Sequence, residues 1–282
     1  MIYGLGAALA WGFADFAAAI VGRRIGSFAI TLVAQIAGFV TIAWIFLIRH
    51  PAWTGTRWDV ALLAANAVLG IAGYLLMYKG FALGPVALVS PIVAAYAVIT
   101  IALAMMLLGE SLDGLVLAGA LVTVLGVVLT ATDPRRIRSV EGTSRSGVPY
   151  ALISSVLFGV ATFVMGRAVQ RVGWVSALFV GRSFSLILML ALTAVRRPDL
   201  RRGGGRWLLG AAAVGLVDML GMSVYSYGVE LGYVSIVTAA SATFTLIPVA
   251  GGIVLLRERP AASQLLGIAL VVAGLLLLGL GG

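Results

Sequence analysis

Gly73–Leu129 reads GYLLMYKGFALGPVALVSPIVAAYAVITIALAMMLLGESLDGLVLAGALVTVLGVVL, and its pattern returns 148 positions later in Gly221–Leu277. Gly73 lands on Gly221, Gly80 on Gly228, and Leu83-Gly84 on Leu231-Gly232. Leu107-Leu108 lands on Leu255-Leu256, Glu110 on Glu258, Gly119 on Gly267 and Gly126 on Gly274. An offset held without a gap over so long a span marks an internal duplication. Upstream the offset is 147: Gly12 falls on Gly159, Phe16 on Phe163, Arg24 on Arg171, Gly26 on Gly173, Arg49 on Arg196 and Pro51 on Pro198. The chain is two copies of one half, with a one-residue slip between the second and third helices of the copies.

Composition decides the solvent. Of 282 residues 62% are hydrophobic and only 10% are charged, against about 25% charged in soluble domains. Mean hydropathy is +1.13. There is too little polar surface to cover a soluble core, so the chain is read as a multi-pass protein of the cell membrane. With no Cys, disulfides, thiolate nucleophiles and Cys metal sites are excluded. The one His, His50, stands beside Pro51 in a short polar loop and has no second ligand for a metal. The net charge of +9 does not imply nucleic acid, because the arginines sit in short loops between apolar spans. The first apolar segment starts at Ile2 with no basic residues before it, so it is read as a retained helix.

Ten stretches have about the 20 residues that a hydrocarbon core demands: 2–21, 27–48, 60–78, 86–108 and 115–131, then 148–166, 175–195, 207–227, 234–256 and 262–280. They are expected to be helices, because open strands in lipid leave backbone groups unpaired, and nothing alternates with period two as a barrel would. Trp53, Trp58, Trp174 and Trp207 stand at span boundaries, where an indole keeps its ring among headgroups. The longest polar linker, 132–147, holds Asp133-Pro134, Arg135, Arg136 and Arg138, and its proline and Gly/Ser/Thr content stop a helix from continuing. The expected division is therefore a five-helix repeat at 1–131, the linker, and a second five-helix repeat at 148–282. Five is odd, so the second copy enters the bilayer from the opposite side. The expected architecture is all-α, two inverted repeats, which in membranes is a transporter plan with the substrate between repeats.

Loop charge gives an orientation. Fourteen basic residues fall on one side, including Arg23, Arg24, Lys79, Arg135, Arg196, Arg206 and Arg257. Four, Arg49, Arg57, Arg167 and Arg171, fall on the other. The positive-inside rule puts the fourteen in the cytoplasm and both termini outside.

The chain resembles EamA-type members of the drug/metabolite transporter superfamily. The resemblance rests on Trp11-Gly12 with Phe16, Tyr78-Lys79-Gly80 through Leu83-Gly84, Leu107-Leu108-Gly109-Glu110, and the Gly119 to Gly126 spacing. The second half repeats it as Phe158-Gly159, Tyr227-Gly228 through Leu231-Gly232, Leu255-Leu256-Arg257-Glu258, and Gly267 to Gly274. It implies secondary transport, commonly export, of amino acids, metabolites or drugs. The implied cavity is bounded mainly by the first, third, fourth, sixth, eighth and ninth spans. The resemblance also implies cytoplasmic termini, opposite to the reading from loop charge.

Candidate site residues follow from cost. Asp15, Arg182 and Asp218 lie inside apolar spans, where a charge costs at least roughly 2.5–3.5 kcal/mol and should face the bundle or water. Arg182 and Asp218 both fall roughly 17–20 Å from one surface on consecutive antiparallel helices, so they can meet. Their counterparts are Gln35 and Gly70, so the pair belongs to one half. A self-neutralising structural pair competes with a role in which either residue exchanges its partner for substrate or a proton. Asp15, whose counterpart is Thr162, is placed about 9 Å from the cytoplasmic end near Arg23 and Arg24. Proton binding, with the proton as the candidate coupling ion, competes there with snorkelling. Glu110 and Glu258 are expected to cap the fifth and tenth helices through the dipole.

Aromatic residues supply the walls: Tyr74, Tyr78, Tyr225 and Tyr227, with Tyr96 paired to Phe244 and Trp11 to Phe158 by the repeat. Apolar walls with a few polar handles suit a small organic solute. Gly80/Gly84 and Gly228/Gly232 are small-xxx-small pairs for close helix approach. Pro91 and Pro248 should kink the fourth and ninth spans, though they do not align in the repeat.

The reading is a secondary transporter and not an enzyme, with no cofactor and no metal. No Walker-type loop, no His/Cys/Asp metal set and no nucleophile elbow is present. The alternative is a membrane scaffold whose basic loops touch anionic lipid headgroups.

Overall fold

The ends of the helices are set by local chemistry beyond the apolar spans. The computed structural model describes residues 1–110, 114–131, 147–197 and 204–280, and among these the chain is helical without a strand. The first half contains α1 (Ile2–Ile25), α2 (Ser27–Arg49), α3 (Arg57–Leu83), α4 (Val86–Ala94), α5 (Tyr96–Leu108) and α6 (Gly114–Ala131). The second contains α7 (Val148–Val172), α8 (Trp174–Arg196), α9 (Gly204–Leu231), α10 (Val234–Ser241), a 3₁₀ turn (Ala242–Thr245), α11 (Leu246–Val254) and α12 (Ala262–Leu280). Among the described residues eight segments are long and apolar enough to cross a membrane, with Val86–Leu108 and Val234–Val254 each counted as one. The stretches Gly114–Gly126 and Ala262–Leu277 are shorter apolar helices.

Helix α3 starts ahead of its apolar span because Thr56 and Asp59 form a reciprocal capping box, the Thr56 N–H donating to Asp59 Oδ2 at 2.8 Å. Its end at Leu83 is set by the extended Gly84 before Pro85. Helices α1 and α7 both close on a positive-φ glycine, Gly26 (85°) and Gly173 (77°), whose N–H satisfies the carbonyl of Gly22 or Val169.

The fourth and ninth spans are each interrupted near their proline. Helix α4 stops at Ala94 and α5 restarts at Tyr96, while α10 passes through the 3₁₀ turn into α11. Pro91 precedes its break and Pro248 follows its own, which is why the prolines do not align. The breaks do align: Ala95 corresponds to Thr243, inside the 3₁₀ turn. Hydroxyls are packed around both breaks, with Ser90 Oγ 3.0 Å from Thr245 Oγ1 and Thr100 Oγ1 donating to the Gly159 carbonyl at 2.9 Å. Freed backbone at this depth is tolerable only where such partners surround it.

The halves interlock as equivalent pairs. Helix α1 packs on α9 as α7 packs on α3, and α2 on α9 as α8 on α3. A Cβ on Gly12 would stand 2.8 Å from the Phe244 carbonyl, and one on Gly159 would stand 3.1 Å from that of Tyr96. The same exchange relates Gly73 against the Phe158 ring to Gly221 against the Trp11 ring. On α6 and α12, a Cβ on Gly126 or Gly274 would stand 2.7 Å from the carbonyl of Gly267 or Gly119 respectively, so the two helices cross antiparallel. Equivalent residues of the two copies also touch each other. Tyr96 and Phe244 stack with centroids 6.4 Å apart, and Arg182 reaches Gln35 at 2.6 Å. Of the four glycines read as close-approach positions, Gly80 and Gly84 meet the backbone at Gly147 and Gly228 meets Tyr3; Gly232 meets only the carbonyl of its own helix.

Glu110 and Glu258 cap helices, but not those that follow them. Glu258 accepts from the backbone N–H groups of Val86 and Ala87 at 2.9 and 2.8 Å, at the start of α4. Glu110 accepts from Val234 and Ser235 at 3.1 Å each, at the start of α10, and also from the Ser235 hydroxyl. Each carboxylate satisfies the first N–H groups of a helix in the opposite half.

The basic residues sort as the loops predict. At one end Arg23 donates to the carbonyls of Phe81 and Gly84 at 3.1 and 3.2 Å, Arg24 and Arg206 lie over Trp207, and Lys79 lies over Tyr150. At the other end Arg171 pairs with the buried Asp59 at 2.7 Å and Arg57 lies over Trp58. The linker residues Asp133 to Arg145, with Pro198, Arg201 and Arg202, lie outside the described residues. Large apolar side chains such as Leu9, Phe13, Val40, Trp44, Leu117 and Leu220 face outward, the surface a lipid-facing bundle presents.

Candidate functional site

Three ionisable residues inside apolar helices converge on one cavity. Arg182 lies 14 residues from the end of α8 and Asp218 lies 14 residues from the start of α9, so both sit about 21 Å deep. They meet: Arg182 Nη2 donates to Asp218 Oδ2 at 3.0 Å. The second oxygen, Asp218 Oδ1, accepts from the Tyr74 hydroxyl at 2.8 Å. Arg182 Nη1 donates to Gln35 Oε1 at 2.6 Å. Gly38 leaves room for the guanidinium, since a Cβ there would stand 3.4 Å from Arg182 Cζ. The Trp11 indole donates to the Asp218 carbonyl at 3.3 Å, and Gly221 gives its ring space. Both charged side chains are buried, at 8% and 10% exposure. A buried pair whose carboxylate oxygens are both engaged and whose guanidinium has a second anchor in Gln35 is held as a unit.

Asp15 is placed differently from the expectation. Helix α1 runs unbroken through Arg24 to Ile25, ten residues past Asp15, which puts the carboxylate about 15 Å from the helix end. Arg23 and Arg24 are engaged at the surface, and Asp15 does not snorkel toward them. Its residue is 8% exposed and faces the cavity. Among the described residues it makes no hydrogen bond or ion pair.

The cavity has two adjoining lobes of about 80 and 70 Å³ that share Trp11, Tyr74, Phe158, Thr162 and Met222. The first is also lined by Gln35, Asn66, Gly70, Arg182 and Tyr225. The second is also lined by Asp15, Met77, Val93, Tyr96, Asp218 and Phe244. Of the expected site residues, Trp11, Asp15, Tyr74, Tyr96, Arg182, Asp218, Tyr225 and Phe244 line one lobe or both. Tyr78 lines neither; it is buried in the core, its ring 5.8 Å from that of Tyr74. Tyr227 lies at the periphery against Tyr3 and Trp174.

Two of the tyrosines offer rings rather than hydroxyls. Tyr225 Oη is 2.7 Å from Thr238 Oγ1, and Tyr96 Oη is 3.1 Å from Ser241 Oγ. Ser241 Oγ donates in turn to the Thr238 carbonyl at 2.9 Å. These hydroxyls are spent on the broken ninth span, leaving the aromatic faces to the cavity.

The second and seventh spans, through Gln35 and Arg182, enter the wall alongside the spans implied by the resemblance. A scan for charge also passes over two amides. Gln35 anchors Arg182, and Asn66 is 9% exposed with its Oδ1 unpaired among the described residues. Each is visible as the only amide side chain in its apolar span.

The sequence model of the EamA-like transporter family matches residues 1–132 and 145–280. No curated protein sequence matches this chain. Among solved structures, a chain described only as "Crystal structure of protein" superposes with a TM-score of 0.73 at 18% identity, covering 99% of this chain and 96% of that one. That likeness concerns the fold alone.

Proposed function

The chain belongs to the EamA-like transporter family, and from that premise we propose that it is a secondary transporter of small organic solutes working by alternating access. The proposed body is ten membrane-crossing helices in two inverted five-helix repeats, 1–131 and 148–282, joined by the linker 132–147. Export is the proposed direction. The observation that carries the reading is the position of the cavity. It lies between the halves, where Gln35 meets Arg182 and Tyr96 meets Phe244, flanked by two broken helices. A site where equivalent residues of the two repeats meet is equally related to both faces, which is the geometry two rocking repeats require. The antiparallel crossing of α6 and α12 supports the inverted arrangement.

Each broken span begins under a carboxylate from the other half, Glu258 over α4 and Glu110 over α10. Opening one face requires one of these caps to part while the other holds. Arg23 reinforces only the Glu258 side, at 3.5 Å. The test is flux in proteoliposomes. Gradient-dependent uptake or counterflow of labelled amines, amino acids or aromatic metabolites is expected. Absence of flux across such a panel, with folded protein, sinks the carrier reading and leaves a membrane scaffold.

A further inference from the structure

The charges lining the two lobes are Asp15, Arg182 and Asp218. Two of them cancel: Arg182 and Asp218 lie 3.0 Å apart, and each has one further side-chain partner, Gln35 for Arg182 and Tyr74 for Asp218. Asp15 is left over. It is more than nine-tenths buried, aimed into the second lobe and without a hydrogen-bond partner among the described residues. Asp218 faces the same lobe, so the local field is set by two carboxylates against one guanidinium. Most of the rest of that wall is aromatic, from Trp11, Tyr74, Tyr96, Phe158 and Phe244, with Met77, Val93, Thr162 and Met222 between the rings. The Tyr96 hydroxyl is turned away into the hydroxyl chain, and Phe158 stands edge-on to Tyr74 at 5.0 Å.

We infer that this lobe binds a small organic cation, an alkylated amine, with Asp15 as its counter-ion and the aromatic rings as its cage. The inference rests on the carrier reading above and names its substrate class. A desolvated ammonium is attracted by ring faces as well as by a carboxylate, and Trp offers the strongest face. An anion would meet Asp15 and Asp218 with its one cationic partner already engaged. A neutral solute gives an ionised Asp15 no counter-charge, so the carboxyl would have to take up a proton to stay buried, whereas an ammonium compensates it directly. The site is asymmetric by design of the sequence: the counterpart of Asp15 is Thr162, which lines the same lobe and supplies no second charge.

The experiment is calorimetric titration of the purified full chain in detergent with choline and with 3,3-dimethylbutan-1-ol, its uncharged isostere. Choline should bind saturably and the isostere should not. Asp15→Asn should weaken choline at least about 30-fold, the lower end for removing one partner of a buried charge pair. Asp15→Glu should recover part of the loss, and Phe244→Leu should weaken choline with Asp15 intact. An unchanged melting temperature of Asp15→Asn shows that the loss is not unfolding. Equal binding of the two probes, no binding of either, or undiminished binding by Asp15→Asn overturns the inference. Flux distinguishes it from the premise: choline that binds through Asp15 but is never moved refutes the carrier and leaves the site. Flux of other solutes without amine binding refutes the site and leaves the carrier.

Discussion

Breaking the Arg182–Asp218 pair one side at a time, and then both together, tests whether it behaves as a unit. In Asp218→Asn the guanidinium keeps Gln35, and the new amide still accepts from Tyr74, but a buried cation loses its counter-charge. In Arg182→Met the carboxylate keeps only Tyr74, and Gln35 loses its donor. Each single change should cost about 3 kcal/mol, the low end for stranding one partner of a buried pair. The double variant removes both charges and leaves Gln35 as the main unsatisfied group, a cost of about 2 kcal/mol. The coupling energy then comes to about 4 kcal/mol, within what close buried pairs show. Reversible unfolding in mixed micelles, with all four proteins in one detergent, reads these values. Additive single effects, or a coupling under about 1 kcal/mol, would mean that the charges are solvated and independent. The same set in proteoliposomes separates scaffold from mechanism. If Asp218→Asn and Arg182→Ala both transport as the unaltered protein does, the pair has no part in the cycle.

Replacing Glu258 or Glu110 with Ala removes the acceptor for two backbone N–H groups at the start of α4 or α10. Each should cost about 2 kcal/mol in the same unfolding assay, and Glu110 more, because Ser235 also loses its partner. Gly12→Leu and Gly159→Leu should each destabilise by about 1–3 kcal/mol by forcing α1 off α11 and α7 off α5; unaltered melting curves would refute the close approach. With no native Cys, Ser139→Cys reports orientation: loop charge predicts labelling by an impermeant maleimide in inverted vesicles and not in intact cells. The reverse pattern would place the termini in the cytoplasm.

Much of this protein is legible in one dimension. Composition selects the bilayer, apolar length selects the helices, and the register of 147 and 148 pairs the halves. Depth along antiparallel helices was enough to bring Arg182 to Asp218, because a helix converts residue number into distance at a fixed rise. What remained hidden is rotation about each helix axis. In water an amphipathic stripe shows which face is inward; in lipid the outward face is as apolar as the core, so the stripe vanishes. Tertiary structure alone therefore turned Asp15 inward and away from Arg23, set Tyr78 in the core beside a lining Tyr74, and gave Arg182 the amide of its own counterpart Gln35. It also assigned Glu110 and Glu258 to helices of the opposite half. A carboxylate at a helix end is attracted by any nearby N-terminus, and only the packing of the two halves decides which one is nearest.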